Sequence, residues 1–332
     1  DIDVAKLGGT LQNDILKEFH SQNEFIYPPE ASVKLVVDTI EHAMNHLPRW
    51  NSVSISGYHI REAGSTATQE LAFTLRDGME YVHAAIERGL PVAAFAPRLS
   101  FFFNSHNEFF EEVCKLRAAR RIWSTAMRER YGAKSDRSLL MRTHVQTAGC
   151  SLTEQQPLNN IVRVAYQAMA GVLGGCQSLH TDSMDETLGL PTEQAVRVAL
   201  RTQQILAYET GVTRTVDPLA GSWFVEGLTD EMESGANDII REIDDMGGVV
   251  DGIHKGYFRR SIAEASYRFG QEMEAGDRLI VGVNAFTEGN QEQQVEILQI
   301  DHEVETKQCD QLADFKKRRD DDAVKKSLDA IR

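Results

Sequence analysis

Between residues 7 and 181 the chain alternates short strand-like runs with longer stretches of 3.6-residue apolar spacing. The strand candidates are Leu7–Leu11, Val53–Tyr58, a run within Ala93–Phe103 interrupted by Pro97, Leu139–Val145 and Gln177–Thr181. Leu71, Leu75, Val82 and Ile86 form one helical face, which ends at Arg88-Gly89 in a basic last turn with a glycine stop. Phe109, Val113, Leu116, Trp123 and Met127 form the next; Glu108, Glu111 and Glu112 open that helix and Arg128, Arg130 and Gly132 close it, as the helix dipole favours. A third helix runs from about Asn160 to Leu173. Strands joined by crossover helices pair in parallel, so the fold class is α/β. A doubly wound sheet and a (β/α)8 barrel both satisfy the pattern, but a full barrel takes eight units and about 250 residues. Only five units are readable here, so either the sheet is open or the first part of a barrel lies outside this sequence.

Beyond Pro191 the character changes. Long helices are expected at about Glu193–Glu209, Asp230–Met246 and Ser261–Ala275, then an isolated strand at Leu279–Val283. The tail from Asp301 reads as helical and highly charged, with Lys316–Arg319 beside Asp320–Asp322, the pattern of a solvated face. The expected division is therefore a barrel portion over residues 1–190 and a helical, subunit-contacting extension over 191–332.

A net charge of −15 argues against a nucleic-acid partner, because a phosphate backbone requires a basic face. An anionic small ligand would need local cations set against that field. No run of about 18 apolar residues suggests a membrane span, and Asp1–Lys6 has neither the basic start nor the apolar core of a signal peptide. Cys114, Cys150, Cys176 and Cys309 are far apart and match no metal-ligand spacing. Free thiols in a reducing cytoplasm are the expectation.

The chemistry-bearing residues gather at proposed strand ends. Ser56–Gly64 places Tyr58, His59 and Glu62 just after the second strand, between glycines. Gln12 and Gln22 follow the first strand, and Arg98 and Ser100 lie in the third. Arg142, His144 and Gln146 alternate along the fourth and so share one face, while Gln177, Ser178 and His180 occupy the fifth. Each alone is more often structural than functional. Strands covered on both faces are normally near-continuous Val, Ile and Leu, so this many polar groups on one side suggests a ligand channel. The sequence has no GxGxxG, GxxxxGK[ST], HExxH or GxSxG motif. Asp251–Gly256 resembles a DxHxxG cobalamin-ligating loop but is one residue too long, and reads as an ordinary loop.

Seven ordered stretches, Gly9–Phe19, Tyr27–Pro29, Ser56–Gly64, Phe95–Phe102, Arg142–Thr147, Gln177–Thr181 and Asp217–Ser222, resemble the adenosylcobalamin-dependent acyl-CoA mutases, the methylmalonyl-CoA mutase family. The similarity runs from the first residues to about Phe286. It implies a (β/α)8 barrel with a CoA ester along its axis, entered here near the fourth strand, so that about strands 4–8 are present and an amino-terminal barrel segment is missing. It implies adenosylcobalamin as cofactor, with the cobalt ligand supplied by another domain or by a separate small cobalamin-binding subunit, and no metal held by this chain. By the same resemblance His59 hydrogen-bonds the thioester carbonyl and Tyr58 lies beside the adenosyl group. Glu62 and Glu186 approach the cofactor ribose, Arg98 contacts CoA, and Gln12, Ser100, Arg142, His144, Gln146, Gln177 and Ser178 line the substrate channel.

Two positions depart from the family pattern. Asp182 replaces a usual asparagine and receives no role. Gln22 stands where methylmalonyl-CoA mutases use an arginine to pair with the substrate's free carboxylate, and a neutral amide offers no such fork. The expected reaction is therefore isomerisation of isobutyryl-CoA to n-butyryl-CoA, with 2-hydroxyisobutyryl-CoA or methylmalonyl-CoA as alternatives. A non-catalytic scaffold and a cobalamin-independent (β/α)8 lyase are the competing classes.

Overall fold

The computed structural model describes residues 3–290 and 295–331. One compact unit extends to Val295 and a second comprises Glu296–Arg332. The strands are β1 (Gly8–Thr10), β2 (Arg49–Asn51), β3 (Val53–Ser56), β4 (Leu99–Ser105), β5 (Thr143–Thr147) and β6 (Ser178–His180). The helices of the first unit are α1 (Pro29–His46), α2 (Tyr58–Glu62), α3 (Ala67–Glu87), α4 (Val92–Phe95), α5 (Phe109–Glu129), α6 (Asp136–Leu139), α7 (Asn159–Gly174), α8 (Glu193–Glu209), α9 (Trp223–Met246), α10 (Val249–His254) and α11 (Tyr257–Ala275). The second unit carries α12 (His302–Arg318) and α13 (Asp321–Ile331). Asp301 caps α12 by accepting from Glu303 N–H, and every residue of α12 is exposed.

All strand pairs are parallel: β1 lies beside β2, and β3, β4, β5 and β6 form a four-stranded sheet in that order. The two sheets are continuous in effect, because Leu11 N–H donates to Asn51 O at 3.2 Å and Ser54 N–H donates to Leu11 O at 2.8 Å. Spatial order thus follows sequence order, as expected when each crossover helix returns the chain one strand further along.

The two faces of the sheet differ. Val53, Ile55, Phe101, Phe103 and Val145 join one apolar core with residues of α1, α3, α5, α9 and α11. Trp123 of α5 meets Phe101 edge-on at a centroid distance of 4.8 Å. Strand periodicity turns the alternate residues to the opposite face, and they are polar or aromatic: Ser54 and Ser56, Ser100, Phe102 and Asn104, His144 and Gln146, Ser178 and His180. Helix α9 packs against both α3 and α5, so the core continues past residue 191.

Four local expectations change. Pro97 has no N–H for a ladder; Val92–Phe95 is a helical turn, Ala96–Arg98 a 3-10 turn, and the strand begins only at Leu99. Residues Asp136–Leu139 are helical, capped by Ser135, so the fourth expected strand also starts later, at Thr143. Leu279–Val283 is a tight turn rather than a strand, with Gly282 at φ +84° and its N–H donating to Ala285 O at 2.7 Å. Asp251–Gly256 is largely helix α10, with Gly256 left-handed at φ +66°.

Trp123 is 1% exposed and anchors α5 to the sheet. Trp123→Ala should lower the free energy of unfolding by about 3–5 kcal/mol in urea denaturation; a loss below about 1 kcal/mol would show that this contact does not hold α5 in place.

Candidate active site

At its carboxyl end β3 cannot simply run on, because Gly57 turns the chain into α2. A Cβ on Gly57 would stand 2.1 Å from Thr74 Oγ1 and 2.9 Å from Glu70 Cγ, so only glycine lets the turn press onto α3. Gly57 N–H still donates to Phe102 O at 2.8 Å, as the last rung between β3 and β4. The next two side chains, Tyr58 and His59, are thereby delivered above the polar face.

His59 is fixed from below. Its Nδ1 lies 2.8 Å from Ser56 Oγ, and Ser56 N–H donates to the buried Asp14 carboxylate at 2.7 Å. Asp14 in turn accepts from Tyr81 Oη at 2.6 Å. Burial, with Lys17 as a nearby cation, pulls the His59 pKa down to about 4. The ring is therefore neutral at pH 7, and in the tautomer whose Nδ1 accepts from Ser56 its Nε2–H is a donor to a ligand.

Tyr58 stacks on Phe102 at 4.8 Å with planes 9° apart, and meets His59 edge-on at 5.5 Å. Its hydroxyl accepts from Gln146 Nε2 at 2.9 Å, and the same amide donates to Asp182 Oδ1 at 2.8 Å. Asp182 also takes the Thr147 hydroxyl at 2.6 Å, and its own N–H donates back to Thr147 Oγ1 at 2.9 Å. Burial, reinforced by Glu62, Asp182 and Glu186, pushes the Tyr58 hydroxyl far up, so it keeps its proton at any working pH.

Glu62 follows one helical turn after Tyr58. It accepts from Asn104 Nδ2 at 2.7 Å and from Cys150 N–H at 2.8 Å. A methyl group on Gly149 would lie 3.1 Å from Glu62 Oε2, 3.5 Å from Tyr58 Oη and 3.8 Å from Glu186 Cγ. Tyr58, Glu62 and Glu186 therefore converge around a glycine that leaves room between them. Burial raises both carboxyl groups above the ordinary range. Asn104 Oδ1 is buried beside them without a partner, and together these acceptors suit a ligand rich in hydroxyl groups.

Further along the sheet, register sets Phe102 beside His144 and His144 beside Ser178. His144 Nδ1 lies 2.7 Å from Ser178 Oγ, with its ring 4.9 Å from that of Phe102. Arg98 and Arg142 lie at the opposite, amino edge, because they precede the first residues of β4 and β5. Burial and the neighbouring cations Arg142, Arg137 and Arg49 push the Arg98 guanidinium down, the mark of a locally un-neutralised positive cluster. Beside it is a cavity of about 220 Å³ lined by Met44, Leu47, Trp50, Phe95 and Arg98. His144 and Gln146 share a face of β5, and Arg142 lies just before its first residue.

Some expected site residues point elsewhere. Gln177 is turned back onto the chain, accepting from Thr143 N–H at 2.6 Å and donating to Gly175 O at 3.2 Å. Ser100 Oγ donates to Val53 O at 3.0 Å. Gln12 is exposed just past β1. Gln22 ends a π-helical turn (Glu18–Gln22) and its Oε1 accepts from Lys17 Nζ at 2.9 Å, while Lys17 is ion-paired with Glu18. Asn104 and Lys17 were not singled out from the sequence, and Asp182 was noted there only as a departure without a role. Asn104 was findable, since it continues the Ser100, Phe102 alternation, but nothing local marks Lys17.

By nuclear magnetic resonance the His59 imidazole should titrate near pH 4. Its folded pKa is below the unfolded value of about 6.5, so the stability it contributes is intact above that pH and is lost as pH falls towards 4. A midpoint near 6.5 would mean that the ring is not buried as described.

The methylmalonyl-CoA mutase family profile matches residues 1–332. The methylmalonyl-CoA mutase of Rhizobium meliloti is 51% identical over 98% of this chain and 46% of its own length. That of Escherichia coli is 47% identical over 98% and 46%, and the human mitochondrial enzyme is 45% identical over 98% and 44%. The chain thus spans a little under half the length of these relatives. It is an α/β chain with parallel strands whose matched residues extend through the whole of it, and it belongs to the methylmalonyl-CoA mutase family.

Proposed function

We propose that this chain forms the acyl-CoA-binding part of an adenosylcobalamin-dependent isomerase acting on an acyl-CoA with no second carboxylate, isobutyryl-CoA first among them. The observation that carries this reading is the division of labour along the polar face. Cations gather at the amino edge around Arg98, where a CoA phosphate needs them, and a neutral His59 donor stands beside Tyr58 at the carboxyl edge, where a thioester carbonyl would need it. His144, Ser178 and Gln146 line the path between. In this reading the parallel strands are part of a (β/α)8 barrel that strands outside these residues complete, with 1–190 as the barrel portion and 191–332 as the helical extension.

The site suits adenosylcobalamin by its donor set. Glu62, Glu186 and the orphan Asn104 Oδ1 are acceptors for sugar hydroxyls around Gly149, and Tyr58 offers a flat aromatic surface beside them. The cofactor supplies the radical chemistry of the rearrangement when bound, and its cobalt ligand would come from a separate cobalamin-binding domain or small subunit. The chain's own contribution is to hold and exclude: His59 fixes the thioester carbonyl, Tyr58 and Phe102 wall the site against water, and Glu62 and Glu186 orient the sugar.

Gln22 supports the substrate choice. Its amide oxygen is committed to Lys17, whose charge is already met by Glu18, so Lys17 is not free to pair with a substrate carboxylate.

A panel of acyl-CoAs, assayed with the protein joined to its complementary barrel segment and a cobalamin module, tests the reading. Conversion of isobutyryl-CoA to n-butyryl-CoA is expected to exceed that of the other thioesters. Preferential turnover of methylmalonyl-CoA would overturn the Gln22 argument, preference for 2-hydroxyisobutyryl-CoA would reassign the substrate, and no turnover of any thioester would favour a scaffold. Gln22→Arg, which places a cation at this exposed position, should raise turnover of methylmalonyl-CoA relative to isobutyryl-CoA.

A further inference from the structure

Beneath the candidate site is a cluster of three ionisable side chains with no exposed surface: Glu70 of α3, and Glu112 and Lys115 of α5. Charges this deep cost more in desolvation than an ion pair returns, and an apolar trio of similar volume would ordinarily serve the core as well. The reason for them is found on β4.

The last rung between β3 and β4 is Gly57 N–H to Phe102 O. Two residues on, the peptide groups of Asn104 face the same edge, by strand periodicity, but the chain of β3 has turned away into α2. Both groups are buried, and neither has a strand to pair with. Glu70 and Lys115 replace it. Asn104 N–H donates to Glu70 Oε1 at 2.8 Å, and Lys115 Nζ donates to Asn104 O at 3.0 Å. Lys115 Nζ also donates to Glu70 Oε2 at 2.6 Å and to Glu112, which uses all three ammonium protons. Above this clamp the Asn104 side chain donates to Glu62 at 2.7 Å, and the Glu70 side chain supports the turn at Gly57.

We propose that Glu70 and Lys115 are positioning residues for the candidate site: by gripping both peptide groups of Asn104 they aim its side-chain amide at the Glu62 carboxylate. The value of the aim to cofactor binding rests on the function proposed above; the aim itself does not. Glu112 neutralises Lys115 but touches neither Asn104 peptide group, which makes it the natural control.

The experiment reads the Glu62 carboxyl titration by carbon nuclear magnetic resonance on the folded chain, without cofactor or substrate. Asn104→Ala removes one hydrogen bond to the charged form, and should raise the Glu62 midpoint by about one unit. Lys115→Met should raise it in the same direction, and the double variant should go no further than Asn104→Ala alone. Glu112→Gln should not raise it. Should Lys115→Met not fold, Lys115→Arg, which keeps the charge but caps the Asn104 carbonyl with a different reach, takes its place with the same expectation. An unmoved Glu62 in the Lys115 variant, additive shifts in the double variant, or an equal upward shift in Glu112→Gln would each overturn the proposal and leave the trio a structural filler. Absence of turnover in the assembled wild type would sink the proposed function while leaving this titration intact.

Discussion

The candidate site depends first on register. The parallel sheet sets Ser56 beside Phe102, Phe102 beside His144, and His144 beside Ser178. A slip of one residue in any pair would turn that strand's polar set into the apolar core and its phenylalanines or valines outward. The aromatic and aliphatic residues packed beneath α3, α5 and α9 therefore do more than stabilise the fold. They hold the opposite face in alignment, and a polar face is the price of nothing once those residues are satisfied beneath it.

The second constraint is what happens where strands stop. A strand end leaves backbone groups without partners, and here buried carboxylates take several of them. Asp14 receives Ser56 N–H, Glu70 receives Asn104 N–H, and Glu62 receives Cys150 N–H. Each of these carboxylates is raised above its ordinary pKa, chiefly by burial. The same groups that close the sheet thus fix the frame on which Tyr58, His59 and Glu62 are mounted. Structural and functional demands meet in the same few atoms.

The rhythm of strands and helices was legible because periodicity is local. The helices beginning near Ala67, Phe109, Asn159 and Glu193 needed only apolar spacing and their end residues to be placed. The Tyr58–His59 cluster was legible for the same reason, following a run that reads plainly as a strand. Pro97 misled the reading, since a proline can interrupt a strand or open a helical turn, and tertiary packing chose the second. Gln177 looked like a ligand-facing residue by position, yet Thr143 N–H claims its amide oxygen. Asp182 received no role because it departs from the family's asparagine, and its partners, Gln146 and Thr147, lie 36 and 35 residues away. Lys115 was not singled out from the sequence. No spacing rule connects it to Asn104, because that contact exists only once α5 has crossed beneath β4.

The central claim is that an acyl-CoA lies along the polar face with its thioester at His59 and its nucleotide at the arginine edge. A crystal structure of the assembled protein with an unreactive acyl-CoA analogue tests this most directly. The account predicts the analogue's carbonyl oxygen within hydrogen-bond distance of His59 Nε2, and its phosphates beside Arg98 and Arg142. An analogue bound in the reverse direction, or held away from the face that carries Phe102, His144 and Ser178, would contradict it.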